Sequence, residues 1–206
     1  MSRIPELSEP LHDGRVTLRF AVERDIPELL IAHQDDPALH RRLGLGRPPS
    51  GAELGRELDE SVSARAAGRQ VVFTILEPGS DDCVGQLRAR AFDWDHARAE
   101  LDLWLAPQAR GRGLGRAALG LGSRWLFDVC GMQRVEVLAT PDDEPGLRAA
   151  AAAGFHREGV LRAHTRDPGV VPDRADRIVL SLLPGDLKPA DTPVADSLSG
   201  ELPSSP

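Results

Sequence analysis

Trp104-Leu-Ala-Pro-Gln-Ala-Arg110-Gly-Arg-Gly113-Leu-Gly115-Arg116-Ala-Ala-Leu-Gly120-Leu-Gly-Ser-Arg-Trp125 is the stretch on which the reading of this chain turns. Residues 97–105 before it alternate strictly: Leu101, Leu103 and Leu105 fall on one strand face, Glu100, Asp102 and Trp104 on the other. Residues 113–129 after it read as a helix. The glycines between let the backbone take positive φ and approach a ligand closely. The unpaired N–H groups of a helix's first turn, at the positive end of its dipole, form an anion site. Arg110, Arg112 and Arg116 add positive charge suited to phosphates.

Working outward, the elements alternate in type. Residues 15–20 read as a half-buried strand. A helix opens near Asp25, where Asp25-Ile-Pro-Glu28 offers an acidic cap and an early proline. Ser50-Gly-Ala-Glu53 is a second capping box, opening a helix to about residue 67. Residues 70–76 and 83–92 form a hairpin around a turn-rich linker. Beyond the glycine loop and its helix come a strand at 134–139, a short alanine-rich helix at 147–153 ended by Gly154, and closing strands at 159–166 and 174–183. The predicted order is β-α-α-β-β-β-α-β-α-β-β, one mixed α/β domain over 14–183. Residues 1–13 read as a flexible N-terminal segment. Residues 184–206, rich in Pro, Ser and Asp, read as a disordered tail.

The 206 residues suffice for one domain burying roughly 70% of its unfolded surface. With 41% hydrophobic and 28% charged residues, the composition is that of a globular protein. The net charge of -7 argues against a broad nucleic-acid-binding face. No apolar run is long enough to cross a bilayer, and the N-terminus lacks a signal peptide's apolar core, so a cytoplasmic location is expected. Cys83 and Cys130 have no metal-ligand spacing, and neither have the histidines, so no metal is expected. The sequence does not fix the oligomeric state; a homodimer is compatible with it.

Two phosphate-ligand readings of the loop compete. No GxxxxGK[ST] run occurs, which argues against a P-loop hydrolase. Gly113-Leu-Gly115-Arg-Ala-Ala118 matches GxGxxA, with Glu136 at a ribose-binding distance, which keeps an NAD(P)-dependent oxidoreductase as an alternative. Against it, the motif follows an antiparallel hairpin, Glu136 falls in mid-strand, and four residues separate the strand from Arg110.

Arg110-Gly-Arg-Gly113-Leu-Gly115 resembles the R/Q-x-x-G-x-G/A signature of the GNAT N-acetyltransferases. Gly154-Phe-His-Arg-Glu158-Gly-Val-Leu-Arg162 resembles a segment of that superfamily's RimJ/RimL-like subgroup. The resemblance spans residues 14–183. It implies a central, mostly antiparallel twisted sheet flanked by helices, with a splayed strand pair forming an acyl-CoA cleft. It also implies acetyl-CoA as cosubstrate and an amine of a small molecule or protein N-terminus as acceptor. The loop amides from Arg110 through Gly111, Arg112, Gly113, Leu114 and Gly115 to Arg116 would hold the pyrophosphate. The backbone of Leu103, Trp104 and Leu105 would line the pantetheine arm. Glu100, then Asp102, are the candidate bases. Where the subgroup carries N-x-x-S, this chain has Asp143 and Gly146; it also contains no tyrosine, the general acid of many relatives. A non-catalytic acyl-CoA-binding protein is therefore a third reading.

Overall fold

The computed structural model describes residues 4–166 and 174–187. Eight strands form one sheet in the order β1-β2-β3-β4-β5-β6-β8-β7. They are β1 (Leu11–His12), β2 (Thr17–Phe20), β3 (Val71–Leu76), β4 (Cys83–Asp93), β5 (Arg98–Leu105), β6 (Arg134–Ala139), β7 (His156–Arg166) and β8 (Arg174–Leu182). Every neighbouring pair is antiparallel except β5 and β6. The helices are α1 (Ile26–Asp35), α2 (Leu39–Arg42), α3 (Gly51–Ala66), α4 (Leu114–Asp128) and α5 (Glu144–Ala153).

The strand alternation read from β5 is the partition of the fold. Leu101 and Leu103 face α4: a Cβ on Gly115 would lie 3.2 Å from Leu103 Cδ2, and one on Gly122 would reach Leu101 and collide with Leu87. On the opposite face Trp104 packs beneath α1 and α3, against Leu29, Leu54 and Leu39. The larger core lies between α4 and the sheet, where Trp125 meets Phe73 edge-on at 5.2 Å.

Gly122 and Gly120 give a paired test of this packing. Gly120 has nothing within 4 Å of a Cβ. Gly120→Ala should therefore stabilise by up to about 1 kcal/mol through helix propensity. Gly122→Val should destabilise by about 1–3 kcal/mol, because the fully buried Leu87 has no room to yield. Thermal melting of both variants reads the two signs directly.

Several expectations are corrected. Ile4 is buried and Leu11–His12 pair with β2, so packed structure begins inside the segment 1–13 read as flexible. The short β1 and α2 were not predicted, each being too brief to show a period. Pro184–Asp186, placed in the tail, form a 3-10 turn, and Leu187 packs on the core; residues 188–206 lie outside the described residues. The Ser50–Glu53 capping box is present, but the one read at Asp25 is not. The Asp25 carboxylate instead turns into the sheet, accepting from Arg19 Nη1 and Nη2 (2.9 and 2.5 Å), Thr74 Oγ1 (2.5 Å) and Val22 N–H (3.0 Å). Burial alone would push its pKa up; the hydrogen bonds from Arg19, Thr74 and Val22 outweigh that and hold it below the usual range.

Candidate active site

The site begins where the sheet opens. β5 and β6 pair through Arg98↔Arg134, Ala99↔Val135 and Glu100↔Glu136. The pairing stops there, although β5 continues to Leu105 and β6 to Ala139. Past Glu100 no further β5–β6 pair forms, so β5 from Leu101 onward has no strand partner on its β6 side. Leu103, Trp104 and Leu105 lie along this stretch.

The glycine loop stands at the open end. After β5 the chain makes a 3-10 turn, Pro107–Ala109, and reaches α4 through Gly111 (φ 73) and Gly113 (φ 80). Both are left-handed, which is why glycine is needed; neither would meet anything within 4 Å if given a Cβ. Gly113 caps α4 with no side chain, and the helix's first backbone bond runs from Ala117 N–H to Gly113 O at 3.1 Å. The first-turn amides of Leu114, Gly115 and Arg116 therefore project from a fifteen-residue helix without a side-chain acceptor from the cap. At Gly115, α4 comes close to both β5 and α5: a Cβ there would lie 3.5 Å from Ala149. The space above the loop is open, and the helix beneath it is tightly seated. That is a fit for a pyrophosphate held by backbone groups.

The arginines of the loop are differently employed from the sequence reading. Arg112 makes two hydrogen bonds to Glu77 (2.5 and 2.8 Å). Arg110 pairs with the Asp36 carboxylate and donates from Nε to the Leu105 carbonyl at 2.9 Å. Two of the three guanidiniums thus brace the loop from outside it.

On the face opposite α4, Glu100 and Asp102 share one partner. Arg90, cross-strand from Glu100, places Nη2 3.1 Å from Glu100 Oε2 and Nε 2.7 Å from Asp102 Oδ2. Only the second contact has hydrogen-bond geometry, so the buried Glu100 Oε2 is ion-paired yet accepts no hydrogen bond. Glu100 sits at the residue where the β5–β6 pairing ends. Asp102 is more exposed (37% against 20%) and its Oδ2 is already engaged.

Asp143 caps α5, accepting from Gly146 N–H at 3.1 Å. A Cβ on Gly146 would run into that carboxylate. Burial pushes both thiols, Cys83 and Cys130, up to about 12, so neither is a thiolate at neutral pH. No cluster of metal-ligating side chains occurs among the described residues. No helix among them is long and apolar enough to cross a membrane.

The fold answers the dinucleotide alternative. β5–α4–β6 is one parallel βαβ unit, which is the resemblance GxGxxA carries, but it is set in an antiparallel sheet and its strands part beside the loop. Glu136 is held in mid-strand by Arg134 Nε at 2.7 Å. The molecule is an acyltransferase that draws on an acyl-CoA, not a dinucleotide oxidoreductase. The chain belongs to the GNAT acetyltransferase family: residues 15–156 match the Acetyltransferase (GNAT) domain. It is similar to the uncharacterized N-acetyltransferase p20 of Bacillus licheniformis, 22% identical over 166 residues, covering 80% of this chain and 92% of that one. Among solved structures, Mycobacterium smegmatis RimJ in complex with CoA-disulfide superposes with a TM-score of 0.77 at 22% identity, over 88% of this chain and 89% of that one. A GCN5-related N-acetyltransferase from Brucella melitensis gives 0.72 at 23%, over 90% and 84%. At these identities the superpositions speak for the shared fold.

Proposed function

We propose that the protein is a RimJ/RimL-like N-acetyltransferase that moves the acetyl group of acetyl-CoA to a primary amine, on a small molecule or a protein N-terminus, in the cytoplasm. The observation that carries this reading is the parting of β5 from β6 at Glu100, with the uncapped, glycine-lined start of α4 at its open end. A pyrophosphate on the amides of Gly111 to Arg116 would direct the pantetheine arm along Leu103, Trp104 and Leu105, where the edge of β5 without a strand partner offers backbone hydrogen bonds, apart from the Leu105 carbonyl that Arg110 already holds. A free N–H on that edge would stabilise the oxyanion. Glu100 would take the ammonium proton, directly or through water, and the amine would attack the thioester carbon. The tetrahedral intermediate would then collapse with expulsion of the CoA thiolate. Direct attack is favoured over an acetyl-cysteine intermediate because both cysteines are held as thiols.

Thermal melting with acetyl-CoA and with NADH tests the ligand class. Acetyl-CoA should raise Tm by several degrees through mass action, and NADH should not. Stabilisation by NADH alone would overturn the proposal.

Gly146 stands where the subgroup carries a hydroxyl that could protonate the thiolate. Gly146→Ser should raise kcat several-fold if that protonation limits turnover. The new Cβ must displace the Asp143 carboxylate from its cap, so about 1 kcal/mol of stability should be lost as well. Gly146 is not among the positive-φ residues, so backbone strain does not add to this. Activity and melting measured together separate the two effects. An active variant no faster than wild type would show that water or another group suffices.

A further inference from the structure

Asp36 lies at the C-terminal cap of α1, before α2, and its side chain is only 8% exposed. Its Oδ1 accepts from Ala38 N–H at 3.1 Å, which shapes the turn into α2. Its Oδ2 takes both Arg42, from α2, and Arg110, from the glycine loop 74 residues away in sequence. Burial by itself pushes the Asp36 pKa up, and the hydrogen bonds from Arg110 and Arg42 more than reverse this. Beneath the pair, Ala32, Leu39 and Ala106 close an apolar contact between α1, α2 and the chain leaving β5.

Arg110 is thereby a strut with two fixed ends. Nε holds the Leu105 carbonyl, where β5 finishes, and Nη2 holds Asp36. Between those anchors and α4 lie Gly111, Arg112 and Gly113, two of them left-handed and lacking any side-chain contact to fix them. A loop built on glycines is entropically costly to order, so an external brace bears directly on how ready it is for a ligand. The other ion pair, Arg112–Glu77, joins partners 50% and 28% exposed, a setting in which such pairs contribute little.

We infer that Asp36 is a positioning residue for the acyl-CoA loop, acting through Arg110 to hold Gly111–Gly113 in the binding conformation. This rests on the reading above that the loop receives the pyrophosphate. Asp36 touches no ligand atom in this scheme; it sets how much ordering is left for binding to do. Because the same carboxylate shapes the start of α2, loop order and the placement of α2 are linked.

Calorimetric titration with CoA, which cannot be turned over, tests the inference. Wild type must bind; if it does not, the reading of the loop fails before this inference is reached. Asp36→Asn keeps the Oδ1 contact to Ala38 but removes the charge that holds Arg110. It should weaken CoA binding about tenfold, while the ligand-free Tm falls by no more than a few degrees. Arg110→Gln should lose a similar factor. The double variant should bind no worse than the weaker single one, because both changes cut one strut. Arg110→Lys, at a position exposed enough to tolerate it, should lose a smaller factor, since one ammonium cannot span both anchors. Unchanged affinity in Asp36→Asn or in Arg110→Lys would overturn the inference. So would multiplied losses in the double variant, because Asp36 would then act independently of Arg110.

Discussion

Gly113→Asp is expected to abolish acetyl-CoA binding while leaving the fold intact. Gly113 caps α4 at φ 80, and a Cβ there meets nothing within 4 Å. Aspartate and asparagine tolerate the left-handed region better than most residues but are still strained there, so ligand-free Gly113→Asp and Gly113→Asn should both fold and melt a few degrees below wild type. The new carboxylate would compete for the first-turn amides. It would also repel a pyrophosphate at close range, where a charge pair near a protein surface is worth about 4 kcal/mol. A loss of affinity above about 10²-fold follows. Gly113→Asn, nearly isosteric and neutral, should lose much less, which assigns the effect to charge. Titration of both variants with acetyl-CoA, beside their melting curves, checks the result; retained binding in the folded Asp variant would remove the loop as the phosphate site.

Glu100→Gln is expected to lower kcat/KM by about 10²-fold near neutral pH, with acetyl-CoA affinity unchanged within about twofold. The size is that of a lost general base. Glutamine keeps the shape of the side chain but cannot accept the ammonium proton. Glu100 fits the role better than Asp102 because its Oε2 has no hydrogen bond to surrender, whereas Asp102 Oδ2 is bound by Arg90 Nε at 2.7 Å. The deficit should shrink as pH rises toward the pKa of the acceptor amine, because a free amine needs no base. A pH profile of kcat/KM for both proteins, over a panel of primary amines, measures this. An unchanged neutral-pH rate would move the role to Asp102 or to solvent.

Much of the fold was legible in the chain itself. The β5 alternation gave both faces of the sheet, the Ser50–Glu53 box marked the start of α3, and the glycine run located the loop and the start of α4. Strand β6 was read at its observed limits. These features are local: alternation, capping and positive-φ glycines depend on residues within about four positions of one another. Placement of the candidate bases on the face away from α4 followed from the same alternation.

Only the tertiary structure decided which groups the charged side chains would meet. Arg110 and Arg112 were read as phosphate ligands, but their partners, Asp36 and Glu77, lie 74 and 35 residues away in sequence. Asp25 looks like a helix cap locally and becomes a buried partner of Arg19 and Thr74 because β2 and β3 pair beside it. The parting of β5 from β6 after Glu100 leaves no mark in either strand, since each alone reads as an ordinary strand. A long arginine or a short aspartate has many partners within reach of a free chain. Which one it keeps depends on the elements that burial brings alongside, and that is settled only when the sheet and helices close on one another.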